Sequence, residues 1–124
     1  MSDQWDYEQR WFTIYLIRNR VNGKGYVGIT IKALGDRLAE HIRDALEQKR
    51  YSANGRRYPL HAAIEKYGSH NFTIEDLDRA YGLTEAQELE TQYIKQLNTF
   101  ASGKGLRLGY NLSFGGEEPD LPYG

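Results

Sequence analysis

Five side chains of this sequence belong to types that act together on phosphate: Tyr15, Tyr26, Arg37, His41 and Glu90. Hydrolysing a phosphodiester takes three things. A water must be deprotonated and aimed, charge in the transition state must be offset, and the leaving oxygen must be stabilised. Arg37 suits the second task, because its planar fork matches phosphate oxygens and stays charged at any relevant pH. Glu90 suits a Mg²⁺ ion, which favours oxygen ligands, keeps several waters, and needs only one carboxylate beside a substrate phosphate. Such an ion supports the third task as a Lewis acid. A tyrosine, with an ordinary pKa of about 10, becomes a credible base only where a guanidinium or a divalent ion favours its phenolate. Tyr26 meets that condition if it sits beside Arg37 or the metal, and His41 is the alternative carrier of the proton. Asn111 offers an amide that can orient the same region.

Positioning these groups is the work of a few elements. Phe12 to Arg18 and Tyr26 to Thr30 alternate apolar and polar residues around a linker, Asn19 to Gly25, that contains Asn22-Gly23. That pattern predicts a β-hairpin carrying one tyrosine on each strand. Leu34, Leu38, Ile42, Ala45 and Leu46 predict a helix from about Leu34 to Leu46. Arg37 and His41, four residues apart, share the shoulder of its apolar stripe. A shorter helix is expected over Leu60 to Tyr67, stopped by Gly68. A third strand should open at Phe72 and reach Tyr81 with an irregularity near Asp76. Thr84-Glu85-Ala86-Gln87 has the spacing of a capping box and starts a last helix running to about Leu97. Ala86, Leu89, Tyr93, Ile94 and Leu97 mark its buried face. Glu90 lies on the row of Ala86 and Ile94, so its carboxylate requires a partner, either an arginine or a metal ion. His61 and His70 are read as surface or capping residues.

Composition narrows the class. With 124 residues, 40% of them hydrophobic and 27% charged, the chain fits one globular domain. It has no cysteine, which removes disulfides, thiolate zinc sites and thiol catalysis. With no secretory or membrane-spanning pattern, this predicts a cytoplasmic protein. The net charge of −1 is low for a nucleic-acid binder. Positive charge is instead gathered locally: KRYSANGRR, Lys49 to Arg57, holds four basic residues and no acidic one. Lys49, Arg50, Arg56, Arg57 and Lys104 are therefore the candidates for DNA-backbone contact, a positioning role without sequence readout.

Laid out in this order, the residues resemble the GIY-YIG nuclease superfamily, especially the catalytic domains of phage homing endonucleases and their stand-alone relatives. Thr13-Ile14-Tyr15 matches the first motif and Tyr26-Val27-Gly28 the second. The family's helical arginine and histidine fall on Arg37 and His41, its glutamate on Glu90 within ELETQYIKQLN, and its asparagine on Asn111 within GYNLSFGG. The resemblance implies an α/β (α+β) fold, a central three-stranded antiparallel sheet flanked by helices. It implies metal-dependent DNA cleavage leaving 5′-phosphate and 3′-hydroxyl ends, with one Mg²⁺ or Mn²⁺ per site held by Glu90. In the roles it implies, Tyr26 or a hydroxide on the metal is the base, Tyr15 positions water or phosphate, and Arg37 and His41 stabilise charge.

The sequence departs from the pattern in two places. Thr13 stands where the family's name has glycine, which a strand accepts. Some homing members carry a second active-site histidine after the Arg/His helix; Tyr58 or His61 is the nearest substitute here, and neither is assigned to the site. The expected organisation is a lead-in over residues 1–11, a nuclease domain over 12–116 and an acidic tail over 117–124. With no recognition region after Gly116, weak and salt-sensitive DNA affinity is expected. One active site per chain predicts nicking; cutting both strands would call for a homodimer or two sequential nicks. The alternatives are a non-catalytic nucleic-acid-binding module, or a nuclease subunit served by a separate targeting partner. RNA stays open as a substrate.

Overall fold

The structure, a computed structural model, describes residues 4–47, 58–101 and 109–113. Its centre is an antiparallel sheet of order β2-β1-β3, formed by β1 (Trp11–Asn19), β2 (Gly25–Thr30) and β3 (Phe72–Tyr81). The hairpin forms where the alternation and the Asn-Gly linker predict it. Gly23 adopts φ +78°, a conformation that costs glycine little, and the Asn19 and Asn22 side chains accept from the Val21 and Lys24 amides inside the turn. Pairing of β1 with β3 shifts register between Ile14 and Tyr15, where Asp78 and Asp76 are the partners and Leu77 is the extra residue. This bulge is the expected irregularity near Asp76.

Among the described residues, four α-helices flank the sheet: α1 (Gln4–Tyr7), α2 (Leu34–Glu47), α3 (Pro59–Tyr67) and α4 (Leu83–Leu97). Strand side chains alternate between faces, which splits the core in two. Ile14, Leu16, Val27 and Ile29 point to one face and pack with Leu83, Ala86 and Ile94 of α4. Tyr15, Ile17 and Tyr26 point to the other, against α2 and α3 through Ala45, Leu60, Ala63 and Ile64. The sheet thus separates an ordinary apolar layer from a layer that contains tyrosines. Among the described residues no helix is long and apolar enough to cross a membrane.

Before β1, Tyr7 is 3% exposed and packs back on the domain in the α4-side core. One local expectation is corrected: the capping box does not form. The residue that caps α4 is Gly82, with no side-chain bond from its own position. Glu8 does the work instead, accepting from the Thr84 amide at 3.1 Å and the Thr84 hydroxyl at 2.6 Å. The Thr84 hydroxyl bond, more than any other cause, holds the Glu8 carboxyl below its ordinary value. A carboxylate complements a helix N-terminus wherever in the sequence it originates, so a local motif search does not find this one.

Residues 109–113 run back to the outer edge of β2. The Tyr110 amide donates to the Gly25 carbonyl, and the Tyr110 hydroxyl accepts from Asn19. Asn111, 2% exposed, uses its side chain as a peptide would: Nδ2 donates to the Val27 carbonyl at 2.8 Å and Oδ1 accepts from the Val27 amide at 2.9 Å. Oδ1 also accepts from the Thr99 hydroxyl at 2.7 Å. Asn111→Ala would strand these buried groups, at about 1–3 kcal/mol for each group left unsatisfied. We expect it to lower unfolding stability by about 3 kcal/mol or more in a urea titration; a loss under about 1 kcal/mol would show that the clamp is replaced by water.

Candidate active site

The site grows from the polar layer. Tyr15 and Gly28 are register partners on β1 and β2, and the missing side chain at Gly28 leaves the room that the Tyr15 ring takes. An ideal Cβ there would fall on the Tyr15 hydroxyl and Cζ. Tyr26 stands two residues earlier on the same face of β2. Its ring centroid is 6.3 Å from that of Tyr15 and 5.6 Å from that of His41. The Tyr15 hydroxyl is hydrogen-bonded to His41 Nε2 at 3.1 Å. Two strands and one helix thereby bring Tyr15, Tyr26 and His41 into one corner. Tyr15 and His41 are buried, whereas Tyr26 is only half-buried.

The helix α2 is turned differently from its apolar stripe. Its fully buried line is Arg37, His41 and Ala45, not the expected leucines, and Leu46 is 58% exposed. Polar side chains win the inner position because the sheet face they meet is built of tyrosines. The His41 imidazole finds a hydrogen-bonding partner there, the Tyr15 hydroxyl, that leucine cannot use. Arg37 is 3% exposed and its Nη1 donates to Glu40 Oε1 at 3.1 Å. Glu40 is also paired with Lys32. Partial burial pushes the Glu40 carboxyl up, but the hydrogen bonds from Lys32 and Arg37 outweigh it and hold the group below its ordinary 4.5.

A depressed folded value means that Glu40 contributes stability at pH above 4.5 and loses it as pH falls through the lower folded value. The thermal midpoint of Glu40→Gln should therefore lie below that of the wild type at neutral pH. The two should converge in acid below 4.5. A gap that stays constant with pH would show that the carboxylate charge is irrelevant.

Glu90 reaches the molecule from α4, on the opposite face of the sheet, and is 8% exposed. Its carboxylate oxygens are the donor chemistry that Mg²⁺ favours. Among the described residues no three His, Asp or Glu side chains gather as a metal cluster. The residues thus fit an ion held by one carboxylate, phosphate and water, and do not fit an all-protein cage. Asn111 has its amide committed to Val27 and Thr99, so it acts on the Tyr26-Val27-Gly28 strand by positioning it. Lys49, Arg50, Arg56, Arg57 and Lys104 lie outside the described residues.

Sequence reasoning missed one residue. His61, expected at the surface, is 3% exposed, and its Nε2 meets His41 Nδ1 at 3.1 Å. The signal was present: His61 sits between Leu60 and Ala63 on the buried side of α3, a costly position for a polar ring that has no partner. His70 is exposed at the turn before β3, as expected.

Comparison with known proteins identifies the family and the fold. The family profile described as the GIY-YIG catalytic domain matches residues 11–104. The fold is similar to that of the catalytic domain of the homing endonuclease I-TevI. Identity is 28% over 82% of this chain and 98% of that one, with a TM-score of 0.63. A mutant of the catalytic domain of the intron endonuclease I-TevI matches at 26% identity and a TM-score of 0.65, over 83% of this chain and 94% of that one. A search of curated proteins finds no match. The matched span takes in both tyrosine motifs, the Arg37/His41 helix and Glu90, and the chain belongs to the GIY-YIG family of endonucleases, hydrolases of phosphodiester bonds.

Proposed function

We propose that this chain is a divalent-metal-dependent DNA endonuclease that nicks one strand, leaving 5′-phosphate and 3′-hydroxyl ends. The observation that carries the reading is the corner formed by Tyr15, Tyr26 and His41, with Arg37 one turn before His41 on the same buried line. A nuclease domain implies a DNA substrate, and GIY-YIG nucleases are generally dependent on a divalent metal.

In this reading Arg37 faces the scissile phosphate with its fork already fixed by Glu40, so little reorganisation is needed as charge develops. Tyr15 is locked against His41 and orients the phosphate or the attacking water. Tyr26 keeps partial exposure beside them, which gives it access to water, and we place it as the base, with His41, whose ring centroid is 5.6 Å away, as the alternative carrier of the proton. Glu90 would hold the metal, and a bound Mg²⁺ would supply charge stabilisation at the leaving oxygen. One site per chain cuts one strand at a time.

Incubation with supercoiled plasmid at low salt, in Mg²⁺ or Mn²⁺ against EDTA, tests the proposal. Open circles should accumulate before any linear form, only with metal, and DNA ligase should reseal them, as 5′-phosphate and 3′-hydroxyl ends require. Activity should fall steeply with added salt, because the contacts expected are to phosphates. No conversion with either metal would overturn the nuclease assignment, and nicks that ligase cannot seal would overturn the product assignment.

A further inference from the structure

Behind the catalytic corner stands a chain of three rings, Tyr15, His41 and His61. The Tyr15 hydroxyl contacts His41 Nε2 at 3.1 Å, and His41 Nδ1 contacts His61 Nε2 at 3.1 Å. All three residues are at least nine-tenths buried. A neutral imidazole has one donating and one accepting nitrogen. Where Nδ1 of one ring faces Nε2 of another, one must donate and the other accept, so the tautomers of the two histidines are tied. The tautomer of His41 then decides what its Nε2 offers to Tyr15.

We propose that His61 is a positioning residue that fixes the tautomer of His41 and, through it, the direction of the Tyr15 hydroxyl proton. Neutral histidine favours the Nε2–H form in water, and one arrangement keeps both rings in it. His61 Nε2–H donates to His41 Nδ1, and His41 Nε2–H donates to the Tyr15 oxygen. Tyr15 then keeps its own proton and offers it to a phosphate oxygen, which leaves the base role to Tyr26. The opposite polarity would put both rings in the less favoured Nδ1–H form and turn the Tyr15 proton inward, toward His41. The catalytic meaning of this lock rests on the nuclease reading; the lock itself does not.

The sequence holds only three histidines, which makes the experiment direct. Protein labelled with ¹⁵N at histidine is observed by long-range ¹H–¹⁵N correlation, at a pH where the rings are neutral. His70→Gln, His61→Gln and His61→Ala assign the signals, and the backbone spectrum confirms each fold. Wild-type His41 should show the Nε2–H tautomer alone. His61→Ala should show a mixture, and His61→Gln, whose amide stands where Nε2 does, should restore the single form. Turnover of nicking should fall about 10- to 100-fold in His61→Ala at unchanged half-saturating DNA, and recover in His61→Gln. A mixture in the wild type, the Nδ1–H form, or a tautomer indifferent to His61→Ala would overturn the proposal. A correct tautomer pattern in a wild type that never nicks would instead sink the nuclease reading and leave the histidine lock standing.

Discussion

Replacing Arg37 with lysine should reduce metal-dependent nicking by about 10²- to 10³-fold, the loss expected when one preorganised donor to a transition-state oxyanion is removed. The charge survives the substitution, so the effect isolates geometry. Arg37 is 3% exposed and already bonded to Glu40, and that pairing aims its fork before substrate arrives. Lysine presents a single ammonium on a flexible stem and cannot make two parallel bonds to phosphate. The fall should appear in turnover more than in the DNA concentration for half-saturation, because the interaction strengthens as charge develops. Single-turnover kinetics on a nicked-circle assay would measure it. A change under about threefold would remove Arg37 from the chemistry.

Gly28→Ala should be nearly as damaging although Gly28 has no functional group. An added Cβ would fall on the Tyr15 hydroxyl and Cζ, so the ring must leave the position that meets His41. Overpacking of this kind costs about 1–3 kcal/mol of stability. Misplacing a reacting or orienting group by about 1 Å costs on the order of 100-fold in rate. A double-mutant cycle separates the two losses. If Gly28→Ala acts by moving the Tyr15 hydroxyl, then Gly28→Ala combined with Tyr15→Phe should be little slower than the worse single variant. Additive rate losses would show that the glycine matters for another reason.

Much of the fold could be read from the chain because its signals are local. Alternation around Asn22-Gly23 places the hairpin, and the apolar rows of α3 and α4 place those helices to within a residue or two. The bulge near Asp76 could be anticipated for the same reason. What escaped were contacts between residues far apart in sequence. Glu8 caps a helix that begins 75 positions later. The turn of α2 that buries Arg37 and His41 depends on the tyrosines across from it, and a helical stripe read alone favours the leucines. The same distinction applies at the site. Tyr15, Tyr26, Arg37, His41, Glu90 and Asn111 are named by motif, but motif does not say that Asn111 spends its amide on Val27. Nor does it say that His61 stands behind His41.

Glu90 approaches from α4, on the far face of the sheet from the tyrosines. The decisive measurement is nicking of supercoiled plasmid in Mg²⁺ by wild type and by Glu90→Gln, with the variant's fold confirmed by its thermal transition. The amide keeps the size of the side chain and removes the charge that would hold the ion. Metal-dependent nicking by the wild type, and none above the EDTA background by the folded variant, is the expected result. Nicking by Glu90→Gln at the wild-type rate and Mg²⁺ dependence would contradict it, and the ion would have to be sought on another residue.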